Sequence, residues 1–99
     1  MLLGTGTERK MFLDYFDMHN QQYKLKVGKT TTHTTYRRYE LVREKLQLFL
    51  KKQYNLSNIM TQEIDTLLIE SFYLYLRDDS CNNNTAMKFI QRFRAVFNY

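Results

Sequence analysis

The near absence of helix-breaking residues constrains this chain more than any other feature of its sequence. Its 99 residues contain no proline and only three glycines, whereas average usage would place about five prolines in a chain of this length. This scarcity favours long helices and argues against collagen-like, linker-like and turn-rich all-β chains. A chain of this length with 43% hydrophobic residues is expected to form one small domain around one modest core.

Apolar side chains recur at steps of three and four in four segments, which is typical of amphipathic helices. We predict helices over about residues 8–24, 35–54, 61–78 and 85–98. Thr34 or Thr35 is expected to cap the second helix and Thr61 the third, because a threonine hydroxyl accepts a hydrogen bond from a first-turn N–H group. Short connections between four helices predict an all-α fold, a compact orthogonal four-helix bundle without a sheet.

All four helical stripes are expected to contribute to one core. Its predicted members are Phe12, Phe16, Val42, Leu46, Phe49, Ile64, Leu68, Phe72, Phe89, Phe93 and Phe97. Leu67 and Tyr75 also fall on the apolar side of the third helix. His19 falls on the apolar stripe of the first helix, where a packed role is expected, whereas His33 is expected in a threonine-rich loop.

Positive charge is segregated along the chain. Residues 24–52 carry nine basic and two acidic side chains, residues 53–79 one basic and five acidic, and residues 80–99 three basic and none acidic. The second and fourth helices are therefore basic and the third is acidic. Arg38, Lys45 and Lys52 recur every seven residues along one line of the second helix, and Lys88 and Arg92 share a face of the fourth. Such faces suit phosphate groups, although a merely solvated basic face fits the same pattern.

Other kinds of site are not indicated. Cys81 is the only cysteine, too few for an internal disulfide or a cysteine-based zinc site, and the two histidines show no metal-ligand spacing. No glycine-rich phosphate loop or acid–base constellation is visible. We therefore expect no metal, no cofactor, no small-molecule substrate and no catalytic residue. Apolar runs of three or four residues are far too short for a membrane span, so no membrane association is expected.

The order of these features resembles the SAM-like core-binding domain of tyrosine recombinases, the phage and transposon integrases. Thr35-Tyr36 opens the second helix, which ends in the Leu-Gln-Leu-Phe-Leu of residues 46–50. An acidic helix from Ile64 to Leu76 follows. Asn84-Thr85 then starts the last helix, which closes on the Phe-Arg-Ala-Val-Phe-Asn of residues 93–98. The resemblance covers about residues 8–99, and residues 1–7 are expected to be a linker or cloning remnant.

This resemblance implies that the chain is half of a C-shaped clamp on double-stranded DNA at the crossover site, acting with other recombinase protomers. Helices two and four of that family face the major groove, and these are the helices that are basic here. The expected DNA-binding residues are Lys29, Thr34, Thr35, Arg37, Arg38, Lys45, Asn84, Thr85, Lys88, Gln91 and Arg92.

The strand-cleaving domain of the family would lie beyond Tyr99, so this chain is expected to be a non-catalytic fragment and Tyr99 is not expected to be the nucleophile. The implied location is cytoplasmic, in a bacterial or phage-type setting, and on the nucleoid when bound to DNA. Other interpretations are a helical protein–protein interaction module and a stand-alone DNA-binding regulator. An all-α enzyme is disfavoured because no catalytic constellation is visible.

Overall fold

Four α-helices make up most of the part of the chain that the structure, a computed structural model, describes, namely residues 11–79 and 81–98. They are α1 (Phe12–Leu25), α2 (His33–Tyr54), α3 (Thr66–Asp78) and α4 (Asn83–Phe97), with a single 3-10 turn at Thr61–Glu63. No strand occurs in these residues, which contain only two isolated bridges, Met11 with Met60 and Val27 with Thr31. The all-α prediction is confirmed. None of these helices is both long and apolar enough to cross a bilayer.

The observed helix starts differ from the predicted ones, and α4 begins at Asn83, two residues earlier than predicted. Residue Met11 is extended, so α1 begins only at Phe12, and residues 8–10 of the predicted helix lie outside the described residues. Neither Thr34 nor Thr35 caps α2, because Thr32 does: its hydroxyl accepts a hydrogen bond from the Thr35 N–H at 3.2 Å. His33, expected in a loop, is consequently the first helical residue of α2.

The third helix begins later than predicted, because the chain bends at Ile64. Thr61 opens the 3-10 turn instead of capping a helix, and Ile64 is extended and buried. Asp65 then caps α3, and its Oδ1 accepts a hydrogen bond from the Leu68 N–H at 2.9 Å. Ile64 therefore lies outside the helix, and Leu67, predicted on the apolar side, is 73% exposed.

The predicted core is confirmed with one exception. Ten of the eleven predicted residues are buried, and their aromatic rings form a chain of contacts. Phe93 lies at its centre, with its ring centroid 5.4 Å from that of Phe12 and 5.8 Å from that of Phe72. Phe97 is 36% exposed because it lies in the last turn of α4, at the edge of this cluster. His19 is buried as predicted, with its ring centroid 4.9 Å from that of Tyr39.

Helix α2 is the longest helix and contacts the other three. It is connected to α1 by a tight turn in which Gly28 has φ +86°, a conformation that favours glycine. At its other end Asn55 adopts the left-handed conformation at the helix C-terminus, with φ 56°. Helices α3 and α4 both pack on α2. The two basic helices, α2 and α4, are therefore neighbours in the fold.

Candidate nucleic-acid interface

A basic groove lies between α2 and α4. Its volume is about 250 Å³. The residues that line it are Arg38, Leu41, Thr85, Lys88, Phe89 and Arg92. Four of these were predicted from sequence as DNA-binding residues, three of them are cations, and no carboxylate lines the groove. We call these six residues the α2–α4 groove.

Helical periodicity explains why these side chains meet. On α2 the residues Thr34, Arg38, Leu41 and Lys45 follow steps of four, three and four, so they lie along one line of the helix. The core residues Val42 and Leu46 lie on a different face of the same helix and are fully buried. Burial of these core residues therefore sets the rotation of α2 about its axis. This rotation places the line of Thr34, Arg38, Leu41 and Lys45 on the solvent side of α2, beside α4.

The first turn of α4 adds hydrogen-bonding groups at one end of the groove. The Asn82 side chain caps the helix, because its Oδ1 accepts a hydrogen bond from the Thr85 N–H at 2.8 Å. Asn84 and Thr85 are exposed in that turn. The N-terminal end of a helix carries partial positive charge, so an anion at this end of the groove would be stabilised by the helix as well as by the side chains.

The cations near the groove differ in whether they already have an anionic partner. Within residues 11–79 and 81–98, Arg38, Lys88 and Arg92 form no ion pair, whereas Lys45 Nζ lies 2.5 Å from Asp79 Oδ2. Arg37 is ion-paired with Glu40, one turn along α2. The three unpaired cations are thus available to a phosphate, and the paired ones must first leave a carboxylate.

The ion pairs also change protonation equilibria. The hydrogen bond from Lys45 lowers the pKa of the Asp79 carboxyl and raises the pKa of the Lys45 ammonium. A hydrogen bond from the Tyr36 hydroxyl, 2.8 Å from Glu40 Oε2, lowers the pKa of Glu40 and raises the pKa of Tyr36. Both carboxylates are charged at neutral pH, the form in which they pair with Lys45 and Arg37.

The remaining predicted site residues lie outside the groove. Gln91 lines a different depression, between α3 and α4, together with Ile69, Tyr73 and Met87. Lys29 is exposed in the turn between α1 and α2, and Thr35 takes part in the capping of α2 through its N–H group. Thr34 and Asn84 are exposed near the groove without lining it.

Two groove residues, Leu41 and Phe89, were not among the predicted DNA-binding residues; Phe89 was predicted as a core residue, whereas Leu41 was assigned no role. It is 41% exposed and lies between Arg38 and Lys45 along the line on α2. The spacing that identified those two cations also places Leu41 beside them, so the signal was present. Because Leu41 is apolar and lies among cations, the groove can contact an apolar group as well as a phosphate.

The side chains considered for other chemistry are the histidines, the acidic residues, the cysteine and the tyrosines. The described residues contain no cluster of His, Cys, Asp or Glu able to hold a metal ion. Cys81 is a half-buried thiol packed against the core. The Tyr36 hydroxyl is hydrogen-bonded to a carboxylate, and the Tyr73 hydroxyl to the Asn83 side chain at 2.5 Å. Tyr99 lies outside the described residues.

A comparison with models of protein families gave a match. The family model described as the phage integrase SAM-like domain matches residues 11–99, which is most of the chain. Neither the curated proteins nor the solved structures gave a significant match.

Proposed function

We propose that this chain, which belongs to the phage integrase SAM-like domain family of tyrosine recombinases, binds duplex DNA through the α2–α4 groove and clamps it at the crossover site during integration and site-specific recombination. The observation that carries the proposal is the meeting of Arg38, Lys88 and Arg92 in one groove, each without an ion pair among the described residues.

Each kind of groove residue has a distinct task in this proposal. Lys88 and the two arginines neutralise phosphates, which provides most of the affinity and makes it depend on salt. The hydroxyl of Thr85 and the first turn of α4 hold a phosphate in place and so fix the position of the helices on the duplex. Arginine can also donate two hydrogen bonds to the edge of a guanine in the major groove.

The acidic residues support a single orientation on DNA. Helix α3 carries Glu70 and Asp78, and the short segment before it carries Glu63 and Asp65. A polyanion is repelled by this side of the domain and attracted by the α2–α4 groove, so the charge distribution favours approach by one face. Binding by one half of a clamp is expected to be weak, because the contacts of the other half and their high effective concentration are missing.

We further propose that this chain contributes binding and not strand cleavage. The hydrogen bond to Glu40 raises the pKa of Tyr36, and burial raises the pKa of Tyr39. At these two of the eight tyrosines, the higher pKa disfavours the phenolate, which is the nucleophilic form of tyrosine. Its protein partners would be other recombinase protomers bound to the same DNA. The corresponding location is the cytoplasm, and the nucleoid when the protein is bound to DNA.

Charge reversal in the groove tests DNA binding. The variant Lys88→Glu/Arg92→Glu removes two of the three unpaired groove cations, and a matched control, Lys51→Glu/Arg94→Glu, makes the same charge change at exposed sites outside the groove. Each lost phosphate contact removes about 0.9 log units of affinity at about 0.1 M salt, so we expect binding to weaken at least about 60-fold.

The measurement is a fluorescence anisotropy titration of a labelled duplex at several salt concentrations. The control should lose much less affinity, because its cations lie away from the groove. Wild-type affinity in the groove variant at low salt would refute the proposal. Contact with DNA that is weak and independent of salt in the wild type would instead favour a protein–protein interaction module.

A further inference from the structure

We propose that Leu41 is a specificity-determining residue that contacts the 5-methyl group of thymine, so that the α2–α4 groove prefers a thymine at one position of its DNA site. This inference rests on the proposed function, since it assumes that duplex DNA occupies the groove. The observation behind it is a large, half-exposed apolar side chain in a groove whose other exposed residues are cations and a threonine.

The surroundings of Leu41 indicate what it can contact. Arg38 precedes it by three residues on α2, and Lys88 and Arg92 line the same groove from α4. When these cations bind phosphates, the leucine lies between them and faces the duplex. An ion or water in the groove would leave the apolar surface of Leu41 without an apolar partner. The thymine methyl is the one apolar group that a base presents in the major groove, so it is the complementary surface.

Phe89 completes the apolar part of the groove. Its ring is buried, and it lines the groove from α4 opposite Leu41. The groove therefore combines a buried aromatic ring on α4 with a half-exposed leucine on α2. A methyl group that enters here loses contact with water, which favours burial in proportion to the area covered.

Leu48 provides a matched control on the same helix. It is 50% exposed and lies seven residues after Leu41 on the same line of α2, about 10 Å farther along the helix axis. It does not line the groove. The two leucines share residue type, helix and comparable exposure, so a difference between their variants reports on position in the groove.

The experiment compares two duplexes of identical sequence, one containing thymine and the other deoxyuridine at every thymine position, which differ only in the 5-methyl groups. Affinities for both are measured by anisotropy with wild-type chain, Leu41→Ala and Leu48→Ala, and circular dichroism checks that each variant is folded. We expect wild type to bind the thymine duplex about fourfold more tightly, the value of burying one methyl group. Leu41→Ala should abolish this difference, and Leu48→Ala should keep it.

The outcomes distinguish the role of Leu41 from DNA binding itself. Equal affinity of the wild-type chain for the two duplexes overturns the role of Leu41 while DNA binding stands. A thymine preference that survives in Leu41→Ala also overturns it, because the preference would then come from the shape of the DNA. Failure to bind either duplex overturns DNA binding and this inference together.

Discussion

Removal of the Asp79 carboxylate is expected to strengthen DNA binding. Lys45 lies on the same line of α2 as Arg38, but its ammonium is held by Asp79 Oδ2 at 2.5 Å. In Asp79→Ala the ammonium loses this partner and becomes available to a phosphate at the edge of the α2–α4 groove. The domain then presents four unpaired cations to DNA where the wild-type chain presents three.

The size of the effect follows from counterion release. Three phosphate contacts predict a slope of about −2.7 for the logarithm of the binding constant against the logarithm of salt concentration, and four contacts predict about −3.6. Between about 50 and 200 mM salt the wild-type chain should lose about 40-fold in affinity and Asp79→Ala about 150-fold. At about 0.1 M salt the variant should bind about eightfold more tightly.

Asp78→Ala is the matched control for this measurement. The two aspartates are adjacent, both are exposed, and the substitutions change net charge equally, but Asp78 forms no ion pair within the described part of the chain. Anisotropy titrations over the salt range should show a steeper slope for Asp79→Ala than for Asp78→Ala. If the two variants have the same slope, the gain comes from net charge alone and the assignment of Lys45 to the DNA face is wrong.

Three further predictions concern stability. Phe93→Ala should lower the free energy of unfolding by about 3–5 kcal/mol, because Phe93 is fully buried among aromatic rings. Phe97→Ala, at an exposed position, should lower it clearly less. Thermal or urea denaturation measures both. Asp65→Ala should cost about 1 kcal/mol through loss of the α3 cap, and Asp65→Asn, which can still cap, should cost less. The folded-state pKa of Asp79 is lowered, so its ion pair stabilises the fold above the unfolded pKa of about 4 and this contribution is lost as pH falls through the folded pKa. The melting temperatures of wild type and Asp79→Ala should therefore converge in acid, and a constant difference down to the lowest pH would contradict the assignment.

The sequence predicts the helices and core well because both depend on local periodicity. The stripe on α4 places Phe89 and Phe93 in the core, as found. The helix starts are harder to predict, because several residues able to cap a helix stand close together and only tertiary packing chooses among them. Burial of Ile64 ends the 3-10 turn and leaves Asp65, not Thr61, as the cap of α3.

The site is predictable in part for the same reason. Periodicity finds the basic lines on α2 and α4, and the spacing of three residues between Arg37 and Glu40 indicates their ion pair. The pair between Lys45 and Asp79 joins α2 to the C-cap residue of α3, 34 positions away in sequence, so only the packing of α3 on α2 reveals it. The sequence alone therefore counts Lys45 with the available cations.

The rotation of α2 connects the core to the proposed function. One face of the helix packs Val42 and Leu46 into the core. A second face is held to α1, because Arg43 Nε lies 2.8 Å from Asp17 Oδ1 and its Nη2 donates to Asp17 Oδ2 at 3.2 Å. These two sets of contacts set the rotation of α2, and with it the position of the line that contains Arg38 and Leu41. If the groove binds DNA as proposed, its backbone is already ordered in the folded domain, so the entropy cost of ordering it does not fall on the binding step. Affinity should then depend mainly on how many cations in and beside the groove lack a carboxylate partner, and Lys45 is the one that a single substitution can add.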